Sequence, residues 1–383
     1  MFYCKKCLYP STKPDLWFSE DSVCAACHSY ENRGEYDWLA AKKLFHTLMR
    51  ENKKNVKYDC IVPVSGGKDS TYQVWRVMQE GYNPLCVTAP TDLLTPLGRR
   101  NIENLKNLGV DYIEISVNRD VRKQIAKHSL FSVGDIQWSE HLLIYTAPVH
   151  IAVNFDIPVL IWGEWVAEYG ACKPEDMKVE NFDRRVLEEY GSLNGQRVSD
   201  LLAIDGVSSQ DLYFYEYPDT DRVEALGLKG LYLSNYFPHH GISNAMISQS
   251  LGFEVSPHNI MGSISNYENL DNYLHGIHDY FKYLKFGFSR ATDIASNMIR
   301  RGLLNRDDAI FLVKNNDGAY PEKYLDKSLE DILKYYSITK DSFSEVCDDY
   351  TNYELFKQDE TGNLILREDG SPELKYDFDR FKF

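Results

Sequence analysis

The chain has no apolar run near the ~20 residues that cross a bilayer. Its start, MFYCKKC, lacks an apolar signal segment. The expectation is a cytoplasmic protein with no membrane insertion. Basic residues are not in excess: 42 Lys and Arg stand against 57 Asp and Glu, for a net charge of −15. That balance disfavours a general nucleic-acid or anionic-membrane surface but leaves room for a local basic pocket. No repeat of fixed period and no low-complexity tract occur. Cysteine is scarce, eight in 383 residues, and half of them lie within the first 27. The Walker A pattern G-x-x-x-x-G-K-[ST] is missing as well. Aromatics are plentiful, with 27 Tyr, enough to serve either cores or a sugar-binding cleft. The length is ample for about two or three domains.

The most informative stretch is Tyr58 to Glu80, YDCIVPVSGGKDSTYQVWRVMQE. Asp59 to Val64 reads as a strand, Ser65 to Ser70 as a turn, and Thr71 to Glu80 as a helix stopped by Gly81. Pro63 cannot donate to a sheet and must sit near the strand's end. Gly66 and Gly67 let the backbone turn sharply and approach a ligand closely. The turn amides, the free N–H groups of the helix and its dipole then face one spot, a setting for phosphate. Lys68 adds a mobile positive charge, and the Ser65 and Ser70 hydroxyls can donate. Asp69 suits magnesium, which takes oxygen ligands and shares them with phosphate. SGGKDS resembles the pyrophosphate-binding loop of the PP-loop ATP pyrophosphatase superfamily. Its members use ATP to adenylate an oxygen before a nitrogen or sulfur nucleophile displaces AMP.

Cys4, Cys7, Cys24 and Cys27 form C-x2-C-x16-C-x2-C. Each pair can put two thiolates on one metal, and a short loop brings the pairs together into a tetrahedral, structural zinc site. Disulfides and an iron–sulfur cluster are the competing uses of the same thiols. A ribbon this short has no core of its own, so metal binding supplies its folding energy. His28 reads as a bystander.

Residues 35–54 have helical apolar spacing and read as a linker helix. From Tyr58 onward strands and helices alternate, which argues for a parallel sheet with helices on both sides. The strands expected after the first are Leu85–Thr88, Tyr112–Val117, Pro158–Trp162 and Leu231–Phe237. Thr88 ends the second, where an adenine edge can meet backbone groups. The fourth ends in Gly163-Glu164, with Glu168 four residues on. The two carboxylates read either as magnesium or nucleophile partners near the phosphates, or as solvated loop residues. The expected division is 1–34 zinc ribbon, 35–57 linker, 58–240 ATP-binding domain with a helical insertion at about 173–230, and 241–383 helical C-terminal region. In that last region His275, His278, Asp279 and Lys282 share a helix face, and Arg290 and Asp293 follow the Gly287 break. They read as a polar binding face or as a solvated one.

YCKKCLYPSTKPDLWFSEDSVCAAC, IVPVSGGKDSTYQV, IWGEWVAEYG and GIHDYFKYLKFGFSRATD, in this order, together resemble the N-acetyl sugar amidotransferase family. These are PP-loop enzymes of bacterial lipopolysaccharide, surface-polysaccharide and flagellar-glycan biosynthesis, pseudaminic acid among the sugars concerned. The chain departs from the family's pattern at Trp165-Val166 and at Pro238-His239-His240-Gly241.

The resemblance implies an α/β fold: a parallel-sheet PP-loop domain of the adenine nucleotide alpha hydrolase-like (HUP) type, a zinc ribbon and a helical C-terminal region. It implies conversion of an acetamido group on a nucleotide-activated N-acetyl sugar to an acetamidino group, with ATP, magnesium and structural zinc. The roles it suggests are catalysis by Lys68, Asp69, Glu164, Glu168 and His278. ATP would be held by Ser65 to Ser70, Thr88 and Gly163, and the sugar by Asp279, Lys282 and Arg290. No second domain with a nucleophilic Cys in a glycine-flanked turn is recognisable. The resemblance therefore implies ammonia from a separate glutaminase subunit, similar to the imidazole glycerol phosphate synthase assembly. Cys60 and Cys86 read as core residues, and Cys172 is the one thiol placed at a site loop. The rival reading is a PP-loop tRNA thiolation enzyme, which expects a basic surface and catalytic cysteines.

Overall fold

The computed structural model describes residues 1–381 except 33–35, 55–56, 171–181 and 192, and only the backbone of 166–167. In chain order the elements are α1 (Ala25–Asn32), α2 (Trp38–Asn52), β1 (Cys60–Pro63), α3 (Lys68–Gln79), β2 (Pro84–Thr88), α4 (Pro96–Lys106) and β3 (Asp111–Glu114). Next come α5 (Arg119–Val133), α6 (Trp138–Phe155), β4 (Val159–Trp162), α7 (Arg184–Tyr190), α8 (Thr220–Leu226) and β5 (Lys229–Tyr232). The rest is helical: α9 (Gly241–Ser250), α10 (His275–Phe286), α11 (Arg290–Arg300) and α12 (Arg306–Asn316), a small hairpin of β6 (Lys323–Tyr324) and β7 (Lys327–Ser328), then α13 (Leu329–Tyr335) and α14 (Lys340–Tyr350).

Strands β1 to β5 form one parallel sheet in the order β3-β2-β1-β4-β5. Alternation along the strands assigns its two faces. Cys60 and Val62 pack with Phe45 and Met49 of α2 and Val74 and Val77 of α3. Ile61, between them, packs with Leu85, Leu160 and the α6 residues Leu142 and Leu143. Both faces are covered, as expected of all-parallel sheets. Cys60 and Cys86 are buried in the first of these cores. Pro63 is the last residue of β1, and the ladder resumes past it with Val64 N–H donating to Val87 O at 2.9 Å.

The chain steps outward from β1 to β2 and β3, then returns to the other side of β1 for β4. The order therefore reverses between β1 and β4. Open α/β sheets bind ligands in the crevice beyond the carboxyl ends of strands at such a point. Here those ends carry Ser65-Gly66-Gly67 and Gly163-Glu164.

Several boundaries differ from expectation. The helix after the glycines begins at Lys68, because extended Gly67 is its N-cap and the Ser70 and Thr71 hydroxyls fold back onto Gly67 O. The fifth strand is Lys229–Tyr232; after it the chain turns at Leu233, whose carbonyl accepts the Tyr236 and Phe237 amides, and both rings enter the core against Phe45. β3 stops at Glu114, although Ile115 still donates to Thr88 O. In the expected helical insertion, the described residues contain only the short α7 and α8 and a 3-10 turn at Val198–Ala203.

Beyond 240, α9 packs on α3, and Ser248 Oγ donates to Lys68 O at 2.7 Å. Helices α10, α13 and α14 share a core with Ala126 and Leu130 of α5. The first thirty residues carry a small core around the four cysteines that reaches Ile299. They dock on α11, where Leu8 N–H donates to Ser296 Oγ, and Tyr3 N–H donates to Arg380 O at 2.8 Å.

Candidate active site

Gly66 has φ +82°, and a Cβ there would lie 2.7 Å from Ile102 Cγ1 and 2.9 Å from Ile102 N. Only glycine fits this turn without movement of α4. Around it the Gly67 amide donates to Ser65 Oγ (3.2 Å), and Ser65 N–H donates to Ser70 Oγ (3.4 Å). Across the crevice, Gly163 approaches closely: a Cβ there would sit 3.2 Å from Gln73 Nε2 and 3.7 Å from His239 Nε2.

Two cavities flank the start of α3. One, of about 270 Å³, is walled by Lys68, Asp69, Glu164, Glu168, Tyr169 and His239 on the sheet side, and by Tyr267, Glu268, Arg290, Asp293 and Arg301 from the C-terminal region. The other, of about 230 Å³, is lined by Ser65 to Ser70, Asn101, Asp271 and His275. Lys68, Asp69, Tyr267 and Glu268 belong to both. Lys68 is buried, with Nζ 2.6 Å from Asp69 Oδ2 and 2.7 Å from Glu268 Oε1. Asp69 Oδ1 accepts from Asn244 Nδ2 (2.8 Å), which also lies 3.2 Å from His239 Nε2. His239 Nε2 is 3.7 Å from Glu164 Oε2, and Tyr169 Oη donates to Glu164 Oε1 at 2.8 Å. Arg301 lies 3.5 Å from Glu168 Oε2 and donates to His239 O at 3.2 Å.

Burial and charge oppose one another here. Burial alone would lower the Lys68 pKa, but Asp69 and Glu268 outweigh it and keep the ammonium protonated. Burial pushes Asp69 up, and Lys68 and His239 bring it below the usual carboxylate range. Glu164 ends above that range, because burial and the charges of Asp69 and Glu168 prevail over His239. The cavity thus holds a firm cation, a firm anion and a carboxyl inclined to keep a proton, the division that acid–base chemistry uses.

The expected site residues divide between this cavity pair and its surroundings. The loop residues, Glu164, Glu168 and Arg290 lie on it. Arg290 is ion-paired with Asp279 (3.2 Å), which raises its pKa despite burial, and Lys282 is ion-paired with Asp293. His278 lines a neighbouring cavity, with Nδ1 3.0 Å from Asp135 Oδ1. Thr88 lies buried at the end of β2, outside both cavities. Cys172 lies outside the described residues. Sequence reasoning missed Asn244, Glu268, Arg301 and Tyr169. No local signal marks them; the Arg300-Arg301 pair reads as an ordinary basic helix end. His239 and His240, adjacent in sequence, point apart: His239 faces the cavity, while His240 Nδ1 accepts from the Ile242 and Ser243 amides and caps α9.

The four N-terminal cysteines are buried, with ligand atoms all within 4.8 Å of one another. Cys4 and Cys27 Sγ are 3.8 Å apart, and Cys7 and Cys24 Sγ 3.6 Å. Tetrahedral zinc with Zn–S bonds of ~2.3 Å needs sulfurs about 3.8 Å apart, so the residues present fit the ion. The Lys6, Cys7 and Cys24 amides lie within 3.5 Å of Cys4 Sγ, a polar environment for a thiolate. His28 instead bonds Ser19 Oγ (2.8 Å) and stacks on Trp17.

Comparison with known proteins finds a family match in the C-terminal region and remote likeness elsewhere. Residues 262–368 match the family model described as LPS biosynthesis protein WbpG-like, C-terminal domain. No curated protein matches the chain. Among solved structures it is similar to NMN synthetase from Francisella tularensis, at 11% identity over 50% of this chain and 94% of that one, TM-score 0.27. It is similar also to NH3-dependent NAD synthetase from Campylobacter jejuni, at 11% identity over 58% and 100%, TM-score 0.29. A third is the predicted subunit of tRNA methyltransferase from Methanocaldococcus jannaschii, at 16% identity over 63% and 88%, TM-score 0.26. Among the described residues no helix is long and apolar enough to cross a membrane. The matched stretch, residues 262–368, is the part of the chain that brings Glu268, Arg290, Asp293 and Arg301 to the cavity.

Proposed function

We propose that the protein is an ATP-dependent amidotransferase that converts an acetamido group of a nucleotide-activated sugar to an acetamidino group. One observation carries this reading. The glycine turn at the β1/β4 switch point and the WbpG-like region close on a single cavity, joined by the Lys68–Glu268 ion pair. A nucleotide-handling turn and a glycan-biosynthetic region sharing one cavity suit a reaction between ATP and a sugar.

The chemistry fits the groups present. An amide oxygen is a poor leaving group, and resonance makes the amide carbon a poor electrophile. Attack of that oxygen on the α-phosphorus forms a P–O bond and releases pyrophosphate. Ammonia then adds to the imidate carbon, a proton is lost, the C–O bond to AMP breaks, and an amidine remains. In this reading the Ser65–Gly67 amides and the Lys68 ammonium stabilise charge on the departing pyrophosphate. Lys68 reaches it by exchanging Glu268 for phosphate. The half-buried carboxylates of Asp69 and Glu164 offer the hard oxygen donors magnesium takes, and magnesium there would neutralise phosphate charge. Glu168 is placed to receive the proton that ammonia sheds. Arg290 and Lys282 serve the sugar's phosphates or carboxylate, each after releasing its present carboxylate partner. Ammonia comes from a separate glutaminase subunit. Outside the ribbon, the described cysteines Cys60, Cys86 and Cys347 are all buried, which supports nitrogen rather than sulfur transfer.

The test is mass spectrometry of reactions containing the protein, ATP, magnesium, an ammonium salt and a panel of UDP- and CMP-linked diacetamido sugars. The expected product has one carbonyl oxygen replaced by NH and forms with AMP. Lys68→Ala should abolish both while fold and zinc content persist. Full activity in that variant would remove the turn from the mechanism. AMP formed only with tRNA and a sulfur donor would overturn the amidotransferase reading.

A further inference from the structure

Among the described residues, one group outside the ribbon gathers three metal-ligating side chains. Asp135, His141 and His278 offer ligand atoms within 4.8 Å of one another. They come from three places in the chain: the α5–α6 turn, the first turn of α6, and α10. Nδ1 of His278 lies 3.0 Å from Asp135 Oδ1, and Nδ1 of His141 lies 3.2 Å from Asp135 Oδ2. The two imidazoles thus flank one carboxylate, a separate oxygen facing each, with ring centroids 5.1 Å apart and planes at 76°.

Neighbouring ligands on an ion with bonds of ~2.1 Å lie roughly 3.0 Å apart at right angles and 3.4 Å apart at the tetrahedral angle. Both measured separations fall in that interval. The carboxylate is also held in advance. Asp135 is only 3% exposed, and the Gln137 amide donates to its Oδ1 at 2.9 Å. Gly134 before it has φ +63°, and a Cβ there would strike the Tyr350 ring at 2.8 Å, so the turn that presents Asp135 has little freedom. Fixed ligands with satisfied outer hydrogen bonds are what metal sites are built on. The histidine side chains keep 21% and 22% exposure. Asp135 and His278 line a cavity of about 360 Å³ that leaves room for further oxygen ligands.

We propose that Asp135, His141 and His278 form a second metal site, binding a divalent transition ion of zinc's class through imidazole and carboxylate. It is separate from the ribbon, and it stands whether or not the proposed amidotransferase reading holds. Unlike the closed tetrathiolate set, three protein ligands leave coordination positions open toward the cavity.

Cobalt titration of the full chain, freed of metal and kept reduced, tests it. The ribbon should fill with a strong thiolate-to-cobalt charge-transfer band. A second equivalent should add only the weaker d–d absorption of nitrogen and oxygen ligands. After zinc loading, elemental analysis should count two zinc ions per wild-type chain and one for His278→Gln or His141→Gln. Those variants should bind the second cobalt at least ~10-fold more weakly. The unchanged charge-transfer band in the variants verifies that the ribbon is folded. A wild-type chain that stops at one ion would overturn the proposal and leave His278 hydrogen-bonded to Asp135, with His141 beside the same carboxylate. Variants that hold the second ion as tightly as wild type would overturn it too.

Discussion

Gly66 and Gly67 are neighbours in one turn, yet the structure predicts opposite responses to alanine. At Gly66 the backbone is left-handed, which adds roughly 1–2 kcal/mol for a residue with a Cβ. The new methyl would also lie 2.7 Å from Ile102 Cγ1 and 2.9 Å from a backbone nitrogen that cannot rotate aside. Overpacking of that kind adds about 1–3 kcal/mol. Lower chain entropy in the unfolded state returns about 0.4–1 kcal/mol. Gly66→Ala should therefore destabilise by about 3 kcal/mol. Gly67 is extended, with φ −74° and ψ 170°, and its nearest neighbour is the rotatable Ser65 Oγ at 3.2 Å. Gly67→Ala should stay within about 1 kcal/mol of wild type. Urea denaturation followed by far-ultraviolet circular dichroism measures both, and Trp75 on α3 gives a second, fluorescent probe near the turn. Equal midpoints for the two variants would refute the account of the turn. So would a larger loss at Gly67.

The carboxyl of Asp317 accepts from the Ser289 and Thr292 amides and the Thr292 hydroxyl at the start of α11, and burial still pushes its pKa up to about 6. Unfolded, it ionises near 4. Its contribution to stability is therefore full below pH ~4 and fades as pH rises through 6, by about 3 kcal/mol in all. The stability difference between wild type and Asp317→Asn should shrink from pH 4 to 7, and a flat difference would contradict the buried placement. Removing zinc with a strong chelator should expose the Leu8 and Tyr9 segment to protease while the sheet core stays protected, and added zinc should restore protection. Glutamine should support turnover only when a glutaminase partner is added, while ammonium salts should suffice without one; turnover with glutamine alone would refute the two-subunit reading.

What could be read from sequence was whatever depends on neighbours along the chain. The run Ile157 to Trp162 announced a strand covered on both faces, and Pro63 announced the end of its own strand. The cysteine spacing announced a cluster that the folded chain closes to within 4.8 Å. The turn residues 65–70 announced a tight glycine turn between a strand and a helix, because their geometry is local. Of the far wall of the pocket, only Arg290 and Asp293 were readable, as part of a polar face. Glu268 reaches Lys68 across two hundred residues, and Asn244 reaches Asp69 from a helix that looked unremarkable. His278 and Asp279 are adjacent on α10, yet one joins Asp135 and the other Arg290. Helical spacing showed that they cluster but carried no information on which neighbour each would meet. The strand expected at 231–237 failed for a related reason: Tyr236 and Phe237 have strand-like composition, but the pocket beneath Phe45 turns them inward.

The docking of the first thirty residues has a consequence for synthesis. Tyr3 bonds Arg380, Leu8 bonds Ser296, and Tyr3 stacks on Phe378. A ribosome makes the ribbon first and its seat last, so at about 5–20 residues per second the ribbon waits tens of seconds for something to rest on. During that interval its apolar side chains have only the thiolate cluster to gather around. A metal held by the four thiolates would then act as a placeholder, giving the ribbon a finished shape to offer when α11 and the final segment emerge. In a zinc-starved cell, damage would fall on chains still being made, while finished molecules with both surfaces already in contact would outlast them.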